Sequence, residues 1–240
     1  MKVDIIAFGA HPDDVELGCG GSISSAISQG LKVGIVDLTK GELGTRGTKE
    51  IRKKESEKAS EILGVSFRKN LGFKDAFFVN DKAHQLKVIE LLREHKPSIV
   101  FCNAVKDRHI DHPKGSRLVS DSCFLSGLSK IKTNYKNSIN QSPWTPKQVY
   151  HYIQWFDIKP DLLIDISDFQ VKKMKAIMAY KSQFYNPKSK EPNTPISSKN
   201  FIDSIKQRDQ NFGRISGVVA AEGFTVERPP VVKDIKGIIQ

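Results

Sequence analysis

The chain has 240 residues, 38% hydrophobic and 27% charged, which excludes a disordered polymer and allows one sizeable core. No apolar run approaches the ~18 residues that a membrane-crossing helix needs, so no membrane partner is expected. Lys and Arg number 38 against 27 Asp and Glu, a net charge of +11. Short groups such as Arg52-Lys53-Lys54 and Lys172-Lys173-Met174-Lys175 read as exposed helix faces without an aromatic–basic stripe, so a solvated surface is expected and no nucleic acid.

Met1-Lys2-Val3-Asp4 places an acidic residue before a short strand-like run and makes a poor signal peptide, so a cytoplasmic location is the default expectation. From there, strand-length apolar runs alternate with segments of helical period, the pattern of a mostly parallel α/β sheet. Val3 to Gly9 reads as the first strand, and a helix follows from Asp14 or Val15 to Gln29, stopped by Gly30. The glycines of Gly18-Cys19-Gly20-Gly21 point to tight packing within it. Lys32 to Thr39 is the second strand, followed by the glycine-rich loop Lys40 to Thr48. Thr48 caps a charged helix that ends at Leu63 and Gly64.

A strand over Val65–Asn70, a helix over Lys82–His95 and a buried strand over Ser98–Asn103 come next. After the loop Ala104 to His112, a helix is predicted from Pro113 to Leu128, since proline suits a first turn. Further on, Gln148–Gln154 and Leu162–Ile166 read as strands, Asp168–Phe184 and Ser197–Phe212 as helices, and Asn186–Pro195 as an exposed loop. Gly217–Val226 returns to the core. Residues 1–240 are read as a single domain. Cys19, Cys102 and Cys123 are too scattered for a disulfide framework and read as small buried hydrophobes.

Three of the six histidines fall in two stretches, His11-Pro12-Asp13-Asp14 and Arg108-His109-Ile110-Asp111-His112, each at the end of a predicted strand. In open α/β sheets ligands collect beyond the carboxyl ends of strands, so both stretches should face one crevice. His11, Asp14 and His112 would supply two imidazoles and a carboxylate, a set that suits zinc and leaves a position for water. The side chains of the neighbours Asp13 and Asp14 must diverge, which leaves Asp13 as a general base. His109 is placed to stabilise an oxyanion and Asp111 to orient an imidazole. Either stretch alone is matched by a bland alternative, a turn or a helix cap. Two such stretches at equivalent strand ends favour a metal site.

Ala10-His11-Pro12-Asp13-Asp14 with Glu16 and Gly18, together with His109-Ile110-Asp111-His112, resembles the signature of the LmbE-like, PIG-L-type zinc deacetylases. The resemblance implies a Rossmann-like fold with helices on both faces, zinc on His11, Asp14 and His112, and Asp13 as base. It also implies that His109 is the electrostatic stabiliser, supported by Asp111. Asp37 to Thr48, then Arg52, Glu55, Ala59 and Ile62-Leu63-Gly64, resemble the bacillithiol-biosynthesis branch, whose substrate is N-acetylglucosaminyl malate. The likeness runs from Met1 to about Leu125 and fades beyond, returning at Ala221-Glu222-Gly223-Phe224.

A small glycoside substrate and a homo-oligomer, trimer or hexamer, follow from the resemblance. Iron or cobalt could occupy the same ligands. Malate has two carboxylates, and Arg52, Arg46 and Arg108 are candidate anchors, Arg52 first by resemblance. The bland alternative pairs Arg52 with Glu55 on an exposed face. A related amidase or a chitobiose-type deacetylase is the nearest rival, and a basic nucleic-acid-binding protein the rival from another class. A dinucleotide-binding protein is disfavoured because Gly9-Ala10-His11-Pro12 stands where GxGxxG would be needed.

Overall fold

The first strand shows why the sheet is covered on both sides. In Ile5-Ile6-Ala7-Phe8-Gly9 every residue is buried. Ile5 and Ala7 belong to one apolar cluster with Val15, Ile23 and Phe184, while Ile6 and Phe8 belong to another with Leu38, Leu92 and Leu118. Alternate side chains therefore enter opposite layers, as a parallel sheet with helices on both faces requires.

A computed structural model describes residues 1–135 and 139–232. Its elements in chain order are β1 (Ile5–Gly9), α1 (Asp14–Ser28), β2 (Val33–Thr39), α2 (Lys49–Leu63), β3 (Phe67–Phe73), α3 (Lys82–His95), β4 (Ile99–Cys102) and α4 (Asp111–Leu125). They continue with β5 (Asn134–Tyr135), β6 (Ile139–Asn140), β7 (Gln148–Tyr152), β8 (Leu162–Asp165), α5 (Gln170–Ile177), α6 (Lys199–Ser216) and β9 (Ala221–Val226). The main sheet has the order β3-β2-β1-β4-β7-β9-β8, with β9 antiparallel to β7 and β8 and the other pairs parallel. The strand order reverses at β1, between β2 on one side and β4 on the other. The loops leaving β1 and β4 therefore diverge to open a crevice. No helix among the described residues is long and apolar enough to cross a membrane.

The glycines of α1 serve close packing: a Cβ on Gly18 would sit 2.1 Å from the Tyr152 ring, and one on Gly21 2.7 Å from Ile166. Helix α1 kinks at Cys19, and Glu222 caps the second segment through the N–H groups of Gly21 (3.0 Å) and Ser22 (2.7 Å). Thr48 and Gly64 bound α2 as predicted.

Elsewhere the structure corrects the sequence reading. Helix α4 begins at Asp111, ahead of Pro113, and ends at Leu125. Helix α5 covers only Gln170–Ile177, and the β5–β6 hairpin was not anticipated. Two cations assigned to exposed faces are buried: Arg52 is 5% exposed and Lys173 0%. Asn186–Pro195 is an exposed loop as expected, and it also reaches the site: Ser189 and Glu191 bind Arg46, while Thr194 and Pro195 line a cavity.

A candidate metal centre and its cavity

The turn after β1 is bent into an unfavourable conformation. Asp13, the residue before α1, has φ 115° and ψ −25°, a left-handed geometry that costs a non-glycine residue about 1–3 kcal/mol. Its side chain makes no helix-cap hydrogen bond. Arg52 instead donates to Asp13 Oδ2 at 3.0 Å, to the Pro12 carbonyl and to the Gly41 carbonyl at 3.4 Å. Arg52 thus fixes the strained turn, and the bland pairing with Glu55 does not occur: Glu55 accepts from the N–H and hydroxyl of Ser182.

Asp14 turns the other way. Its Oδ2 accepts from the His11 N–H (2.9 Å) and from Asn103 Nδ2 (3.1 Å), and Gln154 Nε2 donates to Oδ1 (2.7 Å). It also faces both imidazoles, His11 Nδ1 at 3.5 Å and His112 Nε2 at 3.1 Å. The ring centroids of His11 and His112 are 5.8 Å apart although the residues lie far from each other in sequence, and the His109 ring lies 4.6 Å from that of His11. One nitrogen from each of the three rings falls within a 4.8 Å cluster, and a second such cluster joins His11, Asp75 and Asp111.

Asp111 is the N-terminal residue of α4, but its carboxylate meets His11 Nε2 (3.4 Å), Lys114 (2.7 Å) and the Ala76 N–H (2.8 Å) rather than His109. Only its backbone N–H reaches His109, donating to Nδ1 at 3.3 Å. His109 therefore carries its proton on Nε2. Two further carboxylates were not singled out in the sequence. Asp75 Oδ1 lies 3.0 Å from His11 Nε2, and Asp107 Oδ1 lies 3.3 Å from His112 Nδ1. Asp75 stands in the loop after β3 and Asp107 just before the second histidine stretch, and no spacing rule would have marked either.

Charge explains the titration behaviour. Burial would lower the pKa of His11, but hydrogen bonds to Asp111, Asp14 and Asp75 raise it well above the ordinary value. The same opposition, with Asp14 and Asp107 as partners, lifts His112 to about 9. Burial would raise Asp14, yet His112 and His11 hold it well below the ordinary carboxylate range. Asp13 goes up to about 7, because burial and the Asp14 charge outweigh Arg52. His109 is lowered by burial and by its two imidazole neighbours, which keeps it neutral.

Asp13, Asp14, Asp75, Asp107 and Asp111 crowd around the imidazoles, and Arg52 and Lys114 are the only Lys or Arg residues ion-paired to them among the described residues. A surplus of carboxylate beside clustered imidazole nitrogens is the donor chemistry of a divalent cation, and it draws protons onto His11 and His112 where that charge would sit. Asp14 and one nitrogen each of His11 and His112 fit such an ion, leaving Asp13 apart from the donor set.

The cluster opens into a cavity of about 370 Å³. Its far wall is apolar and aromatic, with Ile196, Ile205 and Phe201, whose ring stacks on Trp155 at 5.5 Å. Of the arginines singled out in the sequence, Arg52 is committed to Asp13 and Arg46 donates to Ser189 (2.6 Å) and Glu191 (3.4 Å). Arg108 lies over the Trp155 ring at 4.5 Å and makes no hydrogen bond or ion pair among the described residues.

Residues 6–123 match the family model described as PIG-L: GlcNAc-PI de-N-acetylase. The crystal structure of a conserved protein from Thermus thermophilus is 35% identical and superposes with a TM-score of 0.85, covering 97% of this chain and 98% of that one. Diacetylchitobiose deacetylase from Thermococcus kodakarensis is 27% identical over 190 residues, which is 75% of this chain and 70% of that protein. A probable N-acetyl-alpha-D-glucosaminyl L-malate deacetylase 2 from Bacillus cereus is 26% identical over 201 residues, 76% of this chain and 84% of that protein.

Proposed function

The chain belongs to the PIG-L family of de-N-acetylases, and from that premise we propose that it hydrolyses the acetamide of an N-acetylglucosamine conjugate with a divalent metal held by His11, Asp14 and His112. The observation that carries the reading is the placement of Asp13: a buried carboxylate outside the donor set that lines the cavity and is held by Arg52 at 3.0 Å. A general base must first stand within reach of the proton it takes, and Asp13 faces the space where the acetamide and water would meet.

A divalent ion in this site supplies Lewis acidity toward the acetamide carbonyl and toward water. Zinc suits two imidazoles and a carboxylate, and iron or cobalt would accept the same ligands. Asp13 takes a proton from the attacking water, with Arg52 holding its carboxylate in place. His109 donates through Nε2–H to the oxyanion that forms at the carbonyl carbon, a role suited to a neutral imidazole. The proton on Asp13 then passes to the departing nitrogen as the C–N bond breaks, leaving acetate and a free amine.

N-acetylglucosaminyl malate is the first candidate substrate, with uncommitted Arg108 receiving a carboxylate of the aglycone. Diacetylchitobiose is the second, favoured by the Trp155–Phe201 wall, since a sugar face packs well on an aromatic ring. Amine release from the malate conjugate, from diacetylchitobiose and from N-acetylglucosamine, each assayed with zinc-loaded enzyme, separates them. The reading expects at least one conjugate to be turned over, and the absence of amine release from all three would overturn it. A trimer or hexamer, as the family resemblance implies, is part of the same reading, and the exposed Phe77 and Ile110 beside the cavity would be covered in it. Sedimentation of the purified protein tests it.

A further inference from the structure

We propose that Asp75 and Asp107 are positioning residues that hold His11 and His112 in opposite tautomers, so that His11 presents Nδ1 and His112 presents Nε2 to the ion. The inference rests on the metal reading above and deepens it.

Each imidazole has one nitrogen facing Asp14, Nδ1 of His11 at 3.5 Å and Nε2 of His112 at 3.1 Å. In each case the other nitrogen faces an outer carboxylate. Asp75 Oδ1 is 3.0 Å from His11 Nε2, and Asp107 Oδ1 is 3.3 Å from His112 Nδ1. The Nδ1 of His112 is buried and makes no hydrogen bond among the described residues, and the carboxylate placed to receive its proton is Asp107, 3.3 Å away. Asp111 also lies 3.4 Å from His11 Nε2, but it is already engaged by Lys114 and the Ala76 N–H.

The two outer carboxylates are themselves anchored to backbone. The Leu43 N–H donates to Asp75 Oδ2 at 3.0 Å, and the Trp155 N–H donates to Asp107 Oδ2 at 3.1 Å. Asp75 is thereby tied to the glycine-rich loop after β2, and Asp107 to the segment after β7. His11 is oriented from the loop after β3, and His112 from the β4–α4 connection that precedes it, pinned in turn to Trp155; such outer contacts keep a metal-binding ring from rotating. A carboxylate accepting the distal N–H also makes the opposite nitrogen a stronger donor.

Ring ¹⁵N shifts of the zinc-loaded enzyme, with chelator competition on Asp75 and Asp107 variants, test the assignment. The wild-type spectrum should show His11 protonated on Nε2 and His112 on Nδ1. Asp75→Ala and Asp107→Ala should each weaken zinc binding about 10- to 100-fold. Asp75→Asn and Asp107→Asn should recover most of it, because the amide oxygen still accepts the ring proton. Matching tautomers in the wild-type spectrum, or alanine variants that hold zinc as tightly as wild type, would overturn the proposal while leaving the metal reading intact. If wild type takes up no stoichiometric zinc, the metal reading fails and the proposal falls with it.

Discussion

Two sets of charged groups lie almost fully buried in this molecule, and they are built in opposite ways. Beneath α1, Lys173 Nζ meets Asp209 Oδ1 and Oδ2 (2.9 and 2.7 Å) and Glu222 Oε1 (2.8 Å), while Glu222 also caps the second segment of α1. Nearby, Arg68 forks onto Asp37 (2.8 and 2.7 Å) and reaches Glu16 (2.6 Å). Each of these carboxylates touches an ammonium or guanidinium: Lys173 serves Asp209 and Glu222, Arg68 serves Asp37 and Glu16, and Arg208 also lies 3.6 Å from Asp209. Around His11 and His112 the chain supplies carboxylates in excess, a strained turn at Asp13, and imidazoles whose pKa values rise to compensate. In the first arrangement every carboxylate contacts an ammonium or guanidinium, whereas in the second the ion-pair partners of Asp14, Asp75 and Asp107 among the described residues are imidazoles alone, the donors that a divalent cation would take. Burial alone says nothing about function, but buried carboxylates paired only with clustered imidazoles point to a site.

The comparison can be broken most severely at Asp13. Asp13→Asn should lower turnover by roughly two to four orders of magnitude with metal content unchanged, as measured by steady-state kinetics beside elemental analysis. Wild-type turnover would place Asp13 with the structural ions. In the other set, Lys173→Met leaves Asp209 and Glu222 buried without their cation and should cost about 3–5 kcal/mol in urea unfolding. Its metal stoichiometry per folded molecule should stay at the wild-type level.

A third effect has the opposite sign. The Asp13 carboxylate is raised to about 7 in the fold, whereas an unfolded Asp ionises near 4. Between those values the folded metal-free protein binds the extra proton, so the ionised carboxylate costs it stability as pH rises through this window. Metal-free Asp13→Asn should therefore be more stable than metal-free wild type above pH 7, by up to about 4 kcal/mol, with the gap closing towards pH 4. Parallel melts at the two pH values measure it. The smallest effect is expected at the rim, where Glu191 is largely accessible: Glu191→Gln should leave kcat unchanged and move KM by about twofold or less.

The N-terminal half of the fold was legible because its signals are local. Ile5–Gly9 is a continuous apolar run, Thr48 and Gly64 are capping residues at the right spacing, and Lys82–His95 carries a clean helical period. That His11 and His112 come close together also followed, since both stretches end strands that flank the switch in strand order. Asp75 and Asp107 were hidden because an isolated Asp in a loop has no pattern, and only the fold brings it to an imidazole. Arg52 and Lys173 were misjudged for a related reason: each stands in a run of basic residues, and which member turns inward depends on a carboxylate far along the chain. Asn186–Pro195 reads as surface by composition and is exposed, but only the fold shows that Glu191 ties it to Arg46 and that Thr194 and Pro195 line the cavity.

Anomalous diffraction from zinc-loaded crystals addresses the central claim most directly. The account predicts one strong peak bonded to His11 Nδ1, Asp14 and His112 Nε2, with the Asp13 carboxylate outside bonding distance. A peak seated instead between Asp75 and Asp111, or no peak at the imidazoles, would contradict it.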